Sequence, residues 1–263
     1  MALYRILTSH PRMKPLTYKA PDDWILARGD LVKVPLGGRD IAGVVMEGLD
    51  ADTNTIPESK IRSVSARYDL PALQDALLRL IEWTAHYYVA EQSAVLRMVL
   101  AGGIGLELPK RARKSRDWDA DPAQKSPGVP CLSAQQDAAA DRLRHAVNAS
   151  AFAAFSLYGV TGSGKTEVYF EAVASTLAQG RQALVLLPEI ALTVPFLSRF
   201  EARFGAMPCA WHSQLTPAAR REAFRSIALG HAPVVIGARS ALFLPYKNLG
   251  VIVVDEAHEQ SFK

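Results

Sequence analysis

Residues 159–166 read Gly159-Val160-Thr161-Gly162-Ser163-Gly164-Lys165-Thr166, a full G-x4-G-K-T. Glycines at these places let the backbone curl until its N–H groups face phosphate oxygens. The helix expected to follow adds the favourable end of its dipole. Lys165 would reach the β- and γ-phosphates, and the Thr166 hydroxyl would ligate Mg²⁺. The candidate nucleotide-binding residues are therefore Gly159, Thr161, Gly162, Ser163, Gly164, Lys165 and Thr166. A glycine-rich turn without chemistry is the plain alternative. The expected setting weighs against it, with an apolar strand at Ala154–Tyr158 before the loop and a helix at Lys165–Gln179 after it.

Downstream lies Val251-Ile252-Val253-Val254-Asp255-Glu256-Ala257-His258. Four apolar residues predict a buried strand, and two carboxylates sit at its C-terminal end. Ligands bind at that edge in open α/β sheets. Asp255 would hold Mg²⁺ and Glu256 would orient and deprotonate an attacking water, which makes Lys165, Asp255 and Glu256 the candidate catalytic set. His258 would couple the nucleotide site to DNA or to a second lobe. An apolar strand ending in acids is weak evidence by itself, but after a phosphate loop it points to nucleoside triphosphate hydrolysis.

Between and around these motifs, helical and strand patterns alternate. Helices are predicted at Ala134–Asn148 (with Ser133 as N-cap), Leu192–Arg203 and Pro217–Leu229. Strands are predicted at Ala183–Leu187, Pro208–Trp211, Val234–Gly237 and Val251–Val254. Nearly continuous apolar strands of this kind belong to parallel sheets covered on both faces.

The front of the chain obeys a different grammar. Leu3–Leu7, Leu31–Val34 and Ile41–Met46 are short apolar runs punctuated by Gly29-Asp30 and Gly37-Gly38, which predicts hairpins in a small barrel or curled sheet over residues 1–66. Leu73, Leu77, Leu80, Ile81 and Thr84 predict an amphipathic helix opened by Pro71, and a shorter helix follows at Glu91–Leu100, stopped by Gly102-Gly103. Residues 109–130 carry a basic run, Lys110 to Arg116, then Asp117, Asp119, Asp121 and several prolines. That stretch reads as a solvated linker, or alternatively as a phosphate-contacting strap.

Of the 263 residues 49% are apolar, enough for one large or two ordinary domains, and the net charge of +4 permits a nucleic-acid partner without requiring one. Cys131 and Cys209 form no CxxC pair, so a cysteine zinc site is not available and two reduced thiols are expected. The apolar start at Met1–Leu7 is short and His10, Arg12 and Lys14 follow it, so no signal peptide is expected. No run approaches the ~20 apolar residues of a membrane span. The expectation is a soluble cytoplasmic protein.

Asp-Glu-Ala-His after a phosphate loop resembles a superfamily-2 helicase, and the residues between resemble the PriA family of replication-restart helicases (primosomal protein N′). The resemblance rests on Gly159–Tyr169, Leu186–Thr193, Trp211-His212-Ser213, Gly237–Phe243 and Leu249–His258, in order and spacing. It covers 132–263, with weaker similarity toward the N-terminus in Val32–Arg39, Gly43-Val44-Val45, Trp83–Tyr88 and Val95–Arg97.

The resemblance implies ATP and Mg²⁺ as cofactors, a RecA-like first helicase lobe at 131–263 and a DNA 3′-end-binding domain at 1–105. A linker at 106–130 stands where the family usually has a winged-helix domain. The family's second lobe, arginine finger and zinc-binding cysteines have no counterpart here, so poor turnover by this chain is expected.

By position, Gln136 resembles an adenine contact. Thr193, His212, Arg239 and Ser240 resemble contacts to single-stranded DNA, and Phe262 resembles a base-stacking residue at the start of an aromatic-rich loop. At the other end, Thr17, Tyr18, Gly37 and Arg62 resemble the family's 3′-end contacts. Thr17 stands where the family usually has aspartate, and it accepts a hydrogen bond from a terminal hydroxyl without charge assistance. Branched or forked DNA, single-strand-binding protein and other primosome proteins are the implied partners, 3′ to 5′ movement is the implied polarity, and no membrane is involved.

Two other readings stand beside the helicase. One is a fork-binding module that binds nucleotide without turning it over. The other is a transporter ATPase or small kinase, for which no LSGGQ-like signature or acceptor lid is visible.

Overall fold

Residues 2–11, 13–49, 56–101, 106, 131–188 and 194–259 are described by the computed structural model. Thr193, Phe262, Gly102-Gly103 and the linker beyond Leu106 lie outside them. The chain divides into two compact units. One comprises Met1–Ala112, Thr216–Leu229 and Phe243–Pro245, and the other comprises Arg113–Leu215, Gly230–Leu242 and Tyr246–Lys263.

The first unit is built on β1 (Leu3–Thr8), β2 (Leu16–Lys19), β3 (Leu31–Leu36), β4 (Arg39–Leu49) and the two-residue β5 (Ala66–Arg67). They form an antiparallel sheet in the order β2-β1-β4-β3-β5. The expected hairpin is present. Gly37 and Gly38, at φ 58° and 78°, make a two-residue turn that matches the strand twist. The first half of β4, Arg39–Val44, pairs with β3 and the second, Gly43–Leu49, pairs with β1, where a register shift between Arg5 and Ile6 bends the sheet. Alternate side chains, Tyr4, Ile6, Val32, Val34 and Val45, turn into one core with Tyr18 and Leu26.

Gly29 shows why glycine punctuates this unit. It sits at φ 90°, and a Cβ there would lie 2.3 Å from the Leu73 carbonyl oxygen. Gly29 N donates to Val45 O at 2.8 Å and Leu73 N donates to Gly29 O at 2.9 Å. That second bond also corrects the expected helix start. Leu73 is tied to the sheet and Gln74 is extended, so α1 spans Asp75–Tyr87 and does not open at Pro71. α2 spans Gln92–Val99. On the outer side of α1, Trp83 and Tyr87 stack with ring centroids 5.0 Å apart and stay exposed.

In the second unit α3 (Ala134–Ala149) opens with the expected Ser133 cap, completed into a capping box by Gln136. It is followed by α4 (Lys165–Ala178), β6 (Gln182–Leu186), α5 (Val194–Phe204), β7 (Cys209–Trp211), β8 (Val234–Gly237) and β9 (Leu249–Val254). α6 (Pro217–Leu229), which lies between β7 and β8 in the chain, groups with the first unit; there Arg225 donates to the Asp69 carbonyl at 3.0 Å.

The four strands run parallel in the order β7-β8-β6-β9. β6 and β8 are buried throughout, and Val185, Val234 and Ile236 pack with Phe170, Phe200 and Phe204. Phe170 meets Phe196, Phe200 and Phe204 edge-on, at centroid distances of 5.3–6.1 Å.

Two expectations for this sheet are overturned. Residues 154–158 form no strand; Phe155 and Tyr158 are exposed. The run 251–254 is a strand but not a buried one, because among the described residues β9 pairs only with β6. Val251 and Val253 pack inward while Ile252 and Val254 remain 46% and 45% exposed. Beside that free edge lies an open cleft of ≈ 390 Å³, lined by Phe152, Ala153 and Phe155 on one side and Gly250, Val251 and Ile252 on the other. The apolar run before the phosphate loop thus lies near β9 without hydrogen-bonding to it as a strand. Among the described residues no helix is long and apolar enough to cross a membrane.

Candidate nucleotide and DNA site

The loop at 159–164 is held from beneath. Gly164, at φ 78°, occupies the N-cap of α4, and no side chain caps that end, which leaves first-turn N–H groups for an anion. A Cβ on Gly164 would sit 2.5 Å from Gln136 Nε2. The Gln136 amide fills that space, donating to Ser163 O at 2.9 Å and accepting from Ser133 N at 2.7 Å. Both polar atoms of the expected adenine contact are thus engaged in joining α3 to the loop. Lys165 Nζ donates to the carbonyls of Gly159 and Val160 at 2.8 and 3.1 Å. In this arrangement the lysine bridges the loop on itself, at the place where phosphate oxygens would compete for its protons.

Helix α4 is fixed by charge as well as by packing. Glu167 pairs with Arg199 at 2.8 Å, and Glu171 pairs with Arg144 of α3 and Arg203 of α5 at 2.9 and 3.2 Å. Arg144 also binds Asp137 and Asp141, and these acceptors raise its pKa. Buried carboxylates tied to two neighbouring helices hold the start of α4 in one position.

The parallel sheet supplies the rest. Asp255, His212 and Arg239 each follow the C-terminal end of a parallel strand (β9, β7 and β8), so one sheet edge gathers them. Arg239 and Ser240 are exposed in a 3-10 turn spanning Arg239–Phe243.

Asp255 is oriented at both oxygens. Glu256 N donates to Oδ1 at 2.9 Å and the Tyr169 hydroxyl donates to Oδ2 at 2.8 Å. Burial, then the charge of Asp255, push the Tyr169 phenol well above its ordinary pKa, so it stays a proton donor. Thr166, three residues earlier on the same face of α4, pulls the phenol's pKa the other way. Thr166 and Asp255, the two nominated metal ligands, therefore both lie beside Tyr169.

Glu256 sits at φ 50°, a left-handed conformation rare outside glycine, and its carboxylate lies 3.4 Å from His258 Nε2. A hydroxyl and a carboxylate are the hard oxygen donors that suit Mg²⁺ shared with phosphates. Among the described residues no cluster of three or more His, Cys, Asp or Glu could hold a metal alone.

Tyr169 is not among the residues the motifs nominate. Its signal was there: three residues after Thr166 and four after Lys165, it shares their face of the helix.

In the first unit, Tyr18 lies close enough to Arg62 to feel its charge. Tyr18 is buried in the core, and its hydroxyl donates to Pro35 O at 3.2 Å. Burial raises the phenol's pKa, while the charge of Arg62 pulls it down. Arg62 itself is exposed, and its carbonyl accepts from Lys19 N at 3.0 Å. Thr17, beside Tyr18 on β2, points to the opposite face and is half-buried.

Two family models match the chain. One, described as 3′DNA-binding domain (3′BD) of PriA, covers residues 5–101; the other, described as DEAD/DEAH box helicase, covers 133–263. Among similar curated proteins, the replication restart protein PriA of Rickettsia felis is 37% identical over 265 residues, which takes in the whole of this chain and 38% of the relative. The PriA of Treponema pallidum is 33% identical across 89% of this chain and 35% of the relative. That of Bacillus subtilis is 42% identical across 50% of this chain and 16% of the relative. The chain thus spans little more than a third of the length of the relatives it matches over most of its own.

Proposed function

The chain belongs to the PriA family of replication restart proteins, with its DNA-binding and helicase domains, and on that premise we propose that it forms the nucleotide-binding side of an ATP-driven DNA motor. ATP would lay its phosphates on the first turn of α4, where Lys165 exchanges two loop carbonyls for the β- and γ-phosphates. Mg²⁺, held through Thr166 and Asp255, would neutralise charge on those phosphates. Glu256 would orient the attacking water and accept its proton. Gln136 would offer adenine the second N–H of Nε2 and the second lone pair of Oε1 while keeping its bonds to Ser163 and Ser133. One observation supports this reading: the Tyr169 hydroxyl, one turn into α4, donates to the Asp255 carboxylate at the end of β9, which links the helix that follows the loop to the acidic strand end.

DNA would cross the same edge over His212, Arg239, Ser240 and Thr193, with Phe262 stacking on a base, and His258 would carry the coupling through Glu256. The pair Tyr18 and Arg62, with Thr17 and Gly37, would receive a 3′ end, and Thr17 would give that contact less selectivity for a free hydroxyl. Forked DNA as substrate, 3′ to 5′ movement, contact with single-strand-binding protein and primosome assembly, in the bacterial cytoplasm at the nucleoid, complete the proposal.

A second reading has its own observation. The segment before the phosphate loop is outside the sheet, and a loop so supported favours nucleotide binding on a fork-bound module without turnover. Fluorescent-ATP binding and ATP hydrolysis, each with and without forked DNA, separate the two. Lys165→Ala should weaken nucleotide binding by about 10-fold or more, the worth of a charge-assisted hydrogen bond. Retained affinity would count against the phosphate-loop assignment. Hydrolysis stimulated by forks would support the motor, and fork binding without stimulation would support the module.

A further inference from the structure

We propose that Tyr169 is a positioning residue for the metal side of this site, setting the orientation in which Asp255 and Thr166 together receive a divalent cation. This inference rests on the reading of those two residues as the metal pair. Tyr169 lies three residues past Thr166 and four past Lys165, each close to one turn, so its side chain rises on their face of α4, the one that looks to the sheet edge. Its ring is only 6% exposed. It packs among Val173, Leu177, Val185 and Phe200, with Phe170 edge-on at 5.3 Å. The ring therefore has one place to be, and the hydroxyl is delivered there without a choice of rotamer.

That hydroxyl donates 2.8 Å to Asp255 Oδ2, across a sequence separation of 86 residues. Oδ1 is taken by Glu256 N at 2.9 Å. The Asp255 backbone N is anchored in turn on Leu186 O at 3.0 Å. Each carboxylate oxygen has two lone pairs and spends one, so the plane of the group is fixed while one acceptor site on each oxygen stays open. Thr166 lies three residues before Tyr169 on the same face of α4, which keeps the second ligand near the first.

A bare aliphatic residue at position 169 would fill the core equally well. The polar tip is what needs explaining, because a buried phenol must find an acceptor. The acceptor it has found is the carboxylate that ends β9. Hydrogen bonds to ligating carboxylates are a recurring way to hold a metal's oxygen donors in register before the metal arrives.

The experiment uses the whole chain with Tyr169→Phe, which keeps the ring and removes only the hydroxyl. Mn²⁺ stands in for the cation. Its free concentration is read by electron paramagnetic resonance in the presence of a non-hydrolysable ATP analogue. Affinity for a fluorescent ATP analogue in excess EDTA is measured alongside. Loss of an outer hydrogen bond should weaken Mn²⁺ binding on the order of 10-fold, with metal-free nucleotide affinity unchanged. Asp255→Asn should weaken Mn²⁺ at least as much. Unchanged or tighter Mn²⁺ binding in Tyr169→Phe beside a weakened Asp255→Asn would overturn the role of Tyr169 and leave the metal pair standing. Unchanged Mn²⁺ binding in both variants would overturn the pair as well. Equal loss of metal-free nucleotide binding and Mn²⁺ binding in Tyr169→Phe would show a structural residue and would also overturn the proposal.

Discussion

The antiparallel sheet of the first unit and the parallel sheet of the second answer the same problem in opposite ways. In the first, β3 and β4 meet through a two-residue glycine turn, β4 lies between β1 and β3, and the sheet's apolar side chains close on one core. In the second, no two consecutive strands are neighbours except β7 and β8, each strand needs a crossover, and the order β7-β8-β6-β9 leaves one side of β9 unpaired. Local hairpins are completed by nearby residues, whereas a parallel sheet is completed only by what the rest of the chain brings. The difference also sorts function. The antiparallel unit spends its polar groups on itself, as Asp30 does in accepting from Arg67 and Ala27 N at 2.9 Å each. The open one turns its polar ends, Asp255 first among them, to a single edge.

The largest effect expected from this contrast is at Gly29. Alanine there would have to hold φ near 90° and push against the Leu73 carbonyl, a backbone atom that cannot swing aside. Strain and overpacking together should cost roughly 3 kcal/mol, read as a fall in denaturation midpoint. Gly38→Ala is the control. It has φ 78° but nothing within 4 Å of the added carbon, so it should lose only about 1–2 kcal/mol, the left-handed penalty alone. Equal losses would mean that the close approach of Leu73 to the sheet contributes nothing.

How much of this was legible in the sequence follows the same division. The Gly37-Gly38 hairpin and the Ser133–Gln136 capping box are short-range chemistry, and both stand where the residues predict them. β2 went unread because only Tyr18 of its four residues turns fully inward, so Leu16–Lys19 shows no alternation. The run 154–158 misled for the opposite reason. Its apolar residues state a preference for burial, but periodicity says nothing about which strand would lie beside it, and among the described residues none does. The Tyr169–Asp255 bond was out of reach as well, since one partner reads as core and the other as catalytic until the fold joins them.

A smaller effect, of opposite sign, is expected at Glu256. Its φ of 50° carries a penalty that glycine would not pay. Glu256→Gly should raise stability by up to about 1 kcal/mol, even though the substitution removes the carboxylate nominated to activate water. Thermal and urea unfolding check it. A variant less stable than the parent would show that the Glu256 side chain, through His258 or otherwise, stabilises more than its backbone strain costs, and the strain would no longer point to function.

The smallest effect is the most direct probe of the open edge. Val185 in β6 and Val254 in β9 are the same residue type on adjacent parallel strands, but the first is fully buried and the second 45% exposed. Cutting each to alanine removes the same two methyl groups. Val185→Ala should cost about 2 kcal/mol, from lost transfer energy and an unfilled cavity. Val254→Ala should cost about 0.5 kcal/mol, since its face of the strand already meets water. A ratio near four would confirm that β9 ends the sheet in solution. Equal costs would mean that something covers Ile252 and Val254, and the nearest candidate is the apolar run Phe152–Phe155 across the ≈ 390 Å³ cleft. In that case the loop at 159–164 would have a strand beneath it, the objection to turnover raised by its unsupported approach would fall, and the motor reading would gain over the binding module.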